Sequence, residues 1–376
     1  MPKSVTDPTG VIDALLAPDV PRLLIEADLR PVQGHRFQPT GFPDLGAATY
    51  TLADGTEMLL VESPQSVANR MEHVCWNDAA HDVVPELRGI PYVRVWRGDT
   101  YLTSSLQEFH RLNSPYILDA DNHAFVHQFV RALVPDNPAL AEVLKIKDDS
   151  LLAKLKEYFA GPGVGPVDER ALARTVFRFD PNCVLHGLFL AQKYLVGGRL
   201  RLTRLLSGFI EASDVRPAEN GGVKFDRINP SGDTKLGFGH VPFHRTEYTA
   251  RQITAYFNLD LATLRAYGLG RDAERLLVAL SLWKISRFLR AGLRLRTACD
   301  LECGSVRISR QTDFASPADL ALDEILPTLI AACGELFAQP PVTEIHWEPP
   351  AKAKTAKAAT EAWAEIVDDG DADDDP

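Results

Sequence analysis

Sulfur is scarce in this sequence. Its 376 residues include five Cys and three Met. Cys75, Cys183, Cys299, Cys303 and Cys333 are odd in number and scattered. The one close pair, Cys299 and Cys303, has no second Cys or His pair to complete a zinc set. A disulfide framework is therefore not expected, and neither a metal nor another cofactor is called for. The five thiols read as small apolar core residues in a reducing compartment. No run of about 18 apolar residues occurs, so no membrane span is predicted. The first twenty residues, MPKSVTDPTGVIDALLAPDV, have neither an apolar signal core nor a small-residue cleavage site. That points to the cytoplasm. The H-E-x-x-H, Walker-A and G-x-S-x-G motifs are missing too, which removes the commonest sequence signatures of hydrolases and NTPases. No repeat with a period of about 20–50 residues is present, so a solenoid is excluded.

What is present is ordinary core material, 45% hydrophobic residues with 24% charged, and a net charge of −11. The negative balance is uneven. Residues 361–376, EAWAEIVDDGDADDDP, carry eight acids and no base, and the preceding AKAKTAKAAT is a low-complexity Ala/Lys linker. Residues 349–376 therefore read as a solvated, disordered acidic tail. Without residues 351–376 the chain holds 37 bases against 43 acids. Global charge does not announce a nucleic-acid binder, so only local patches could serve as one.

The hydrophobic pattern predicts strands over 22–29, 90–96, 183–191, 252–261, 293–303 and 342–347, a strand, or a strand running into a helix, over 200–212, and a hairpin of 47–52 with 57–62 turning at Asp54–Gly55. Helices are predicted from Ser63, which would cap a helix with Pro64 at its first position. Others are predicted over 104–112, 122–160 with breaks at Pro135 and Pro138, 271–290 and 317–337. GPGVGP at 161–166 ends the central helical run. This alternation predicts an α+β fold, a sheet packed by helices on one face, with a helical insertion near the middle.

The stretch 214–245, DVRPAENGGVKFDRINPSGDTKLGFGHVPFHR, stands apart. It holds five Gly, three Pro, five Lys/Arg and two His. A connection this long inside a folded body is uncommon and usually functional. The N–G–G at 220–222 invites a chain reversal there. From Arg199 to Arg245 eight Lys/Arg face five Asp/Glu, a basic island on an acidic chain.

Several phrases, LLVESPQSVANRME, TSSLQEFHRLNSPYI, RLLSGFIEASDV, GFGHVPFHRTEYTARQITAYFNLDL and LRLRTACDL, together resemble the backbone subunit of type I-U (also called I-G) CRISPR surveillance complexes, the Cas-seven branch of the RAMP superfamily. The similarity runs over roughly residues 20–347 and leaves out the acidic tail. It implies an RRM-like (ferredoxin-like) palm over 20–348 preceded by an N-terminal arm, 1–19. A helical insertion at about 113–178 and a β-hairpin thumb at about 212–247 would interrupt the palm. It implies a filament of identical, non-catalytic subunits along a guide RNA (crRNA), the thumb folding over the guide. Target DNA would be met through the guide. A large subunit and a repeat-processing subunit would be further partners.

Within the matching phrases, chemistry selects candidate RNA contacts. Arg199, Arg201 and Arg204 follow Gly197–Gly198. Alternate spacing puts the first two on one strand face, either against phosphate or simply in solvent. In the proposed thumb Lys224, Arg227 and Lys235 carry charge, and Phe238, with Phe225, either wedges between bases or packs the hairpin onto protein. His240, His244 and Arg245 are placed to meet phosphate or 2′-hydroxyls. Gln65, Ser66, Asn69 and Arg70 lie on the early turns of the helix after Ser63, which is either a phosphate-binding helix end or a plain capped helix. Ser104, His110, Arg111 and Asn113 form a similar group. Arg30, His35 and Arg36 follow the first strand. Lys284, Arg287, Arg290, Arg294 and Arg296 form a second cationic cluster, on a solvated face or a contact surface. Asp226 and Asp233 are either turn formers or the carboxylates of a metal-dependent RAMP-type endoribonuclease, the alternative function.

Overall fold

The computed structural model describes residues 7–42, 46–134, 138–146, 150–160, 168–192, 194–195, 200–309 and 317–349. Helix α1, Pro8–Leu15, starts at Asp7, whose carboxylate accepts the amides of Thr9 and Gly10. Strand β1, Arg22–Pro31, alternates, with Leu23, Ile25, Ala27 and Leu29 buried on one face. Strands β2, Thr49–Thr51, and β3, Glu57–Glu62, form a hairpin in which Gly55 takes φ +88°, open to a residue without a Cβ. Helix α2, Pro64–His73, begins at Ser63, whose Oγ accepts the Ser66 amide at 3.2 Å. Strands β4, Tyr92–Arg97, and β5, Thr100–Ser104, pair antiparallel. A largely helical stretch follows, with α3 at Ala124–Leu133, α4 at Ser150–Ala160, α5 at Glu169–Phe179 and α6 at Pro181–His186. Then come β6, Leu206–Ser213; β7, Arg216–Lys224; β8, Val241–Thr249; and β9, Gln252–Asp260. The chain continues through α7, Arg271–Arg290, β10, Arg294–Arg296, β11, Cys299–Ser309, α8, Leu322–Ala332, and β12, Val342–His346.

The main sheet has seven antiparallel strands in the order β10-β11-β1-β9-β6-β3-β2. Four of them, read in chain order as β1, β6, β9 and β11, stand as fourth-first-third-second across the sheet. Helices lie in the connections from β1 to β6 and from β9 to β11. A second, three-stranded sheet, β12-β4-β5, pairs β12 parallel to β4. Helix α7 is the centre of the molecule. Every residue from Leu276 to Ser286 is buried, so it is enclosed all round rather than on one stripe. It packs against α1, α2, α6, α8 and β11. Among the described residues, no helix is long and apolar enough to cross a membrane. Four of the five cysteines are buried and Cys303 is partly so.

The structure corrects several expectations. Residues 104–112 are not a helix. They are the end of β5 followed by turns that lead to a short 3-10 segment at Arg111–Asn113, where Ser105 Oγ is drawn inward to Asp180 and Arg111 to Glu72. The apolar run 183–191 is not one strand. Asp180 caps α6 through the Asn182 amide, and only Leu188–Phe189 is extended, paired with Arg201–Leu202. Apolar composition alone does not tell a buried helix from a buried strand. Residues 293–303 contain a reversal at Ala298, φ 57°, which divides them into β10 and the start of β11. The 317–337 helix is shorter, with only Leu322–Ala332 α-helical. The N–G–G at 220–222 does not turn the chain. It lies mid-strand in β7, where a Cβ on Gly221 would meet the Phe243 carbonyl oxygen at 2.8 Å. The reversal comes later, between Lys224 and Val241.

Candidate nucleic-acid interface

Strands β7 and β8 pair over their whole length, from Arg216 opposite Thr249 to Lys224 opposite Val241. Their base is held to the body by a backbone bridge between Phe37 and Tyr248, 2.9 Å in both directions. The tip is organised by Asp226. One carboxylate oxygen accepts the amides of Ile228 and Asn229 at 2.8 and 2.9 Å, and the other accepts Gly239 at 2.9 Å. These three amides hold the carboxyl below its ordinary range. The imidazole Nδ1 of His240 accepts the Asp226 amide at 3.0 Å. Asp233 accepts the Lys235 amide at 2.9 Å. Both aspartates therefore act as turn formers.

The hairpin surface is unusual. Val223, Phe225, Ile228, Leu236, Phe238, Val241 and Phe243 are all exposed, Ile228 by 96% and Phe225 by 74%. Lys224, Arg227 and Lys235 are exposed and form no ion pair among the described residues. Lys224 lies 6.0 Å from the Phe243 ring centre. Two-stranded ribbons are marginal in water by themselves, and contiguous exposed apolar surface marks an interaction site. Cations beside open aromatic faces suit a phosphate chain with unstacked bases. Sequence reasoning singled out Phe238 and the cations. It missed Val223, Ile228, Leu236 and Phe243, whose signal was apolar residues in a segment too rich in Gly and Pro to build a core.

Nearer the base the cations are paired. His244 meets Glu219 at 2.5 Å, and Glu247, 4% exposed, lies 2.5 Å from Arg245 and 3.6 Å from Arg36. Arg30 donates to Glu302 at 2.6 Å. His35 is exposed.

The second group gathers at the start of α2. Ser66, Asn69 and Arg70 line a cavity of about 400 Å³ together with the 106–109 loop, where Phe109 is 72% exposed. His110 is exposed beside it. Arg204 reaches across to the Pro64 carbonyl at 3.1 Å and the Gln65 Oε1 at 3.0 Å. Arg70 donates to the carbonyls of Arg294 and Leu295. Asn113 accepts the Ala191 amide at 3.0 Å. Arg201 is exposed, while Arg199 lies outside the described residues. Arg70 and Arg296 flank the buried Glu62 carboxylate, and Arg296 also donates to the Gln38 carbonyl, next to Phe37 at the hairpin base. A polar chain thus runs from α2 to the foot of the hairpin.

Two expected surface residues are interior. Ser104 is fully buried, and Arg111, 7% exposed, donates to both Glu72 oxygens at 2.6 and 2.8 Å and to the Gly187 carbonyl at 3.4 Å. Its φ of 52° is left-handed. Burial pushes the Glu72 carboxyl up, and Arg111 opposes that. The second cationic cluster is likewise dispersed. Lys284 is fully buried, with Nζ 2.9 Å from His186 Nε2, and Arg287 pairs with Glu86 and Asp323. The clue was periodicity. Glu72 follows Ala68 on the buried face of α2, and Lys284 follows Leu277 and Leu280 on α7.

A model of the family described as CRISPR-associated protein GSU0053 matches residues 23–217. No curated protein matches. Among solved structures, a chain of "CRISPR RNA-guided surveillance complex, pre-nicking" is 17% identical, with 92% of this chain and 88% of that chain covered at a TM-score of 0.40. "Crystal structure of Thermofilum pendens Csc2" is 10% identical, covering 84% of this chain and 76% of that one at a TM-score of 0.26.

Proposed function

The chain belongs to the CRISPR-associated protein GSU0053 family, and we propose that it binds CRISPR guide RNA as one of a row of identical, non-catalytic subunits forming the backbone of a DNA-targeting surveillance complex. The observation that carries this reading is the β7–β8 hairpin, with exposed aromatics and with cations that form no ion pair among the described residues, on an acidic chain. In this reading the hairpin is the thumb. The seven-stranded sheet is an RRM-like palm, a reading supported by the fourth-first-third-second order of β11, β1, β9 and β6. Guide contacts come from Arg201, Lys224, Arg227, Lys235 and Phe238. Ser66, Asn69, His110 and His35 add to them. Phosphate contacts and stacking tolerate any sequence, so one protein serves any spacer, and specificity is left to pairing between guide and target. Target DNA, further copies of the chain, a large subunit and a repeat-processing subunit are the partners.

The test is guide-RNA affinity against salt. A phosphate-gripping groove gives a log–log slope of about −0.7 per contact on single strands. A flat response removes the proposal. Protein purified after co-expression with a guide array carries a nuclease-sensitive excess of absorbance at about 260 nm. Low-resolution images then show a row of subunits, and isolated monomers without RNA refute the backbone role.

A further inference from the structure

Away from the hairpin, α3, α5 and the chain leading into β12 enclose a cavity of about 940 Å³. Arg131 on α3 and Arg174 and Arg178 on α5 line it. All three are exposed, and none forms an ion pair among the described residues. Arg174 and Arg178 stand one turn apart on the same helix face. Phe177, Leu269 and Leu336 add apolar surface, Leu336 being 43% exposed. Two carboxylates also line the cavity: Glu335, and Glu344, which is taken up by Arg94 and the Trp96 indole. Among the described residues none of the three has a carboxylate or carbonyl partner for its guanidinium, and their convergence on one concavity gives it a positive lining suited to an anion.

We propose that the anion is the chain's own acidic segment, residues 361–376. Three observations choose it. The segment has eight acids and no base, the complement of three unpaired guanidiniums, and its Trp363, Ile366 and Val367 suit the apolar lining. Its starting point is close. Val342, Thr343 and Glu344 of β12 line the cavity, and Pro349, the last described residue, is five positions beyond. Its reach is sufficient. Residues 350–360 span at most about 36–40 Å when extended, and Pro349 lies only about 17 Å of strand length beyond Glu344. The hairpin cations are the competing site, but the hairpin springs from the other sheet.

Carbodiimide joins carboxylates to amines. The full chain carrying Arg174→Lys and Arg178→Lys, which keep the charge, should cross-link residues 361–376 to positions 174 and 178, with no mixed products from isotopically light and heavy copies. Cross-links only to Lys224 or Lys235, or only between copies, overturn the proposal. Hydrogen exchange gives an independent reading. In the unaltered chain the amides of 361–376 should exchange roughly tenfold slower than free peptide. That protection should vanish in Arg131→Gln/Arg174→Gln/Arg178→Gln and survive in the Lys variant. Free exchange in the unaltered chain, or protection unchanged by the Gln substitutions, sinks it. If a single-stranded oligothymidylate protects α3 and α5 while the segment exchanges freely, the groove is a nucleic-acid site instead.

Discussion

Removing Arg111 leaves the Glu72 carboxylate, 3% exposed, without its two donors at 2.6 and 2.8 Å. An uncompensated buried charge costs far more than an exposed pair gains. Arg111→Ala should therefore lower stability by about 3–5 kcal/mol, read from the urea midpoint, and an unchanged midpoint would return Arg111 to the surface. His186 next to it sets a pH response. Burial first, and then the charges of Lys284, Arg111 and Arg204, depress its pKa well below 6.5. Below pH 6.5 the unfolded chain takes up a proton that the folded chain refuses. Stability is thus complete above that pH and declines as pH falls through it, by up to about 1.4 kcal/mol per pH unit. The difference in melting temperature between the unaltered chain and His186→Gln, measured from pH 7.5 to 5, isolates this imidazole from the carboxylates that also titrate. A pH-independent difference contradicts it. These side chains were misread from the sequence because their partners lie far away along the chain. Glu72 and Arg111 are 39 positions apart, and Lys284 and His186 are 98 apart. No local pattern reports such a pairing.

Elements with strong local signals were legible. Helix α7 runs over the predicted 271–290. The β2–β3 hairpin turns at Asp54–Gly55, and Ser63 caps α2. Helix α5 falls within the helical insertion that the resemblance implied at about 113–178, but its own 3.6-residue period in Leu172, Val176 and Phe179 was not picked out between the Gly/Pro break before it and the apolar run after it. The hairpin was located as an excursion, but its turn was misplaced. Glycine there serves close approach of β8 rather than reversal. Replacing Lys224, Arg227 and Lys235 by Ala should reduce the magnitude of the RNA salt slope by about two units, at roughly 0.7 per lost phosphate contact. It should leave the melting temperature unaltered, since none of the three is buried. An unchanged slope excludes the hairpin from the contact. In β6, Gly208 faces Phe257, whose ring carbon lies 2.7 Å from where a Cβ would sit. Gly208→Ala should cost about 1–3 kcal/mol by overpacking the sheet, and thermal denaturation checks it.

For the whole molecule, net charge was a poor guide. The −11 balance mixes an acid-only terminal segment with a body of 37 bases and 43 acids, which is nearly even. Fold class followed from the alternation of patterns, whereas the second sheet did not. Strand β12 pairs in parallel with β4, from which it is separated by 250 positions, as in Glu344 opposite Arg94. Two guide RNAs with unrelated spacers should bind within about twofold of each other if phosphate and stacking carry the affinity. A large preference for one would mean that base edges are being read.

Ser213 and Gln252 sit directly opposite each other at the edge from which the hairpin departs, and the Arg251 amide closes onto the Ser213 carbonyl at 3.1 Å. Strands β6 and β9 are therefore already neighbours, and the chain from 214 to 251 leaves and rejoins the sheet at one pair of positions, steadied at its base by the Phe37–Tyr248 bridge. An Asn-Gly turn spliced there would leave the sheet's pairing untouched. The protein is built like a tool with a detachable head: length, charge and tip chemistry can be rewritten in one cassette while the handle keeps its shape.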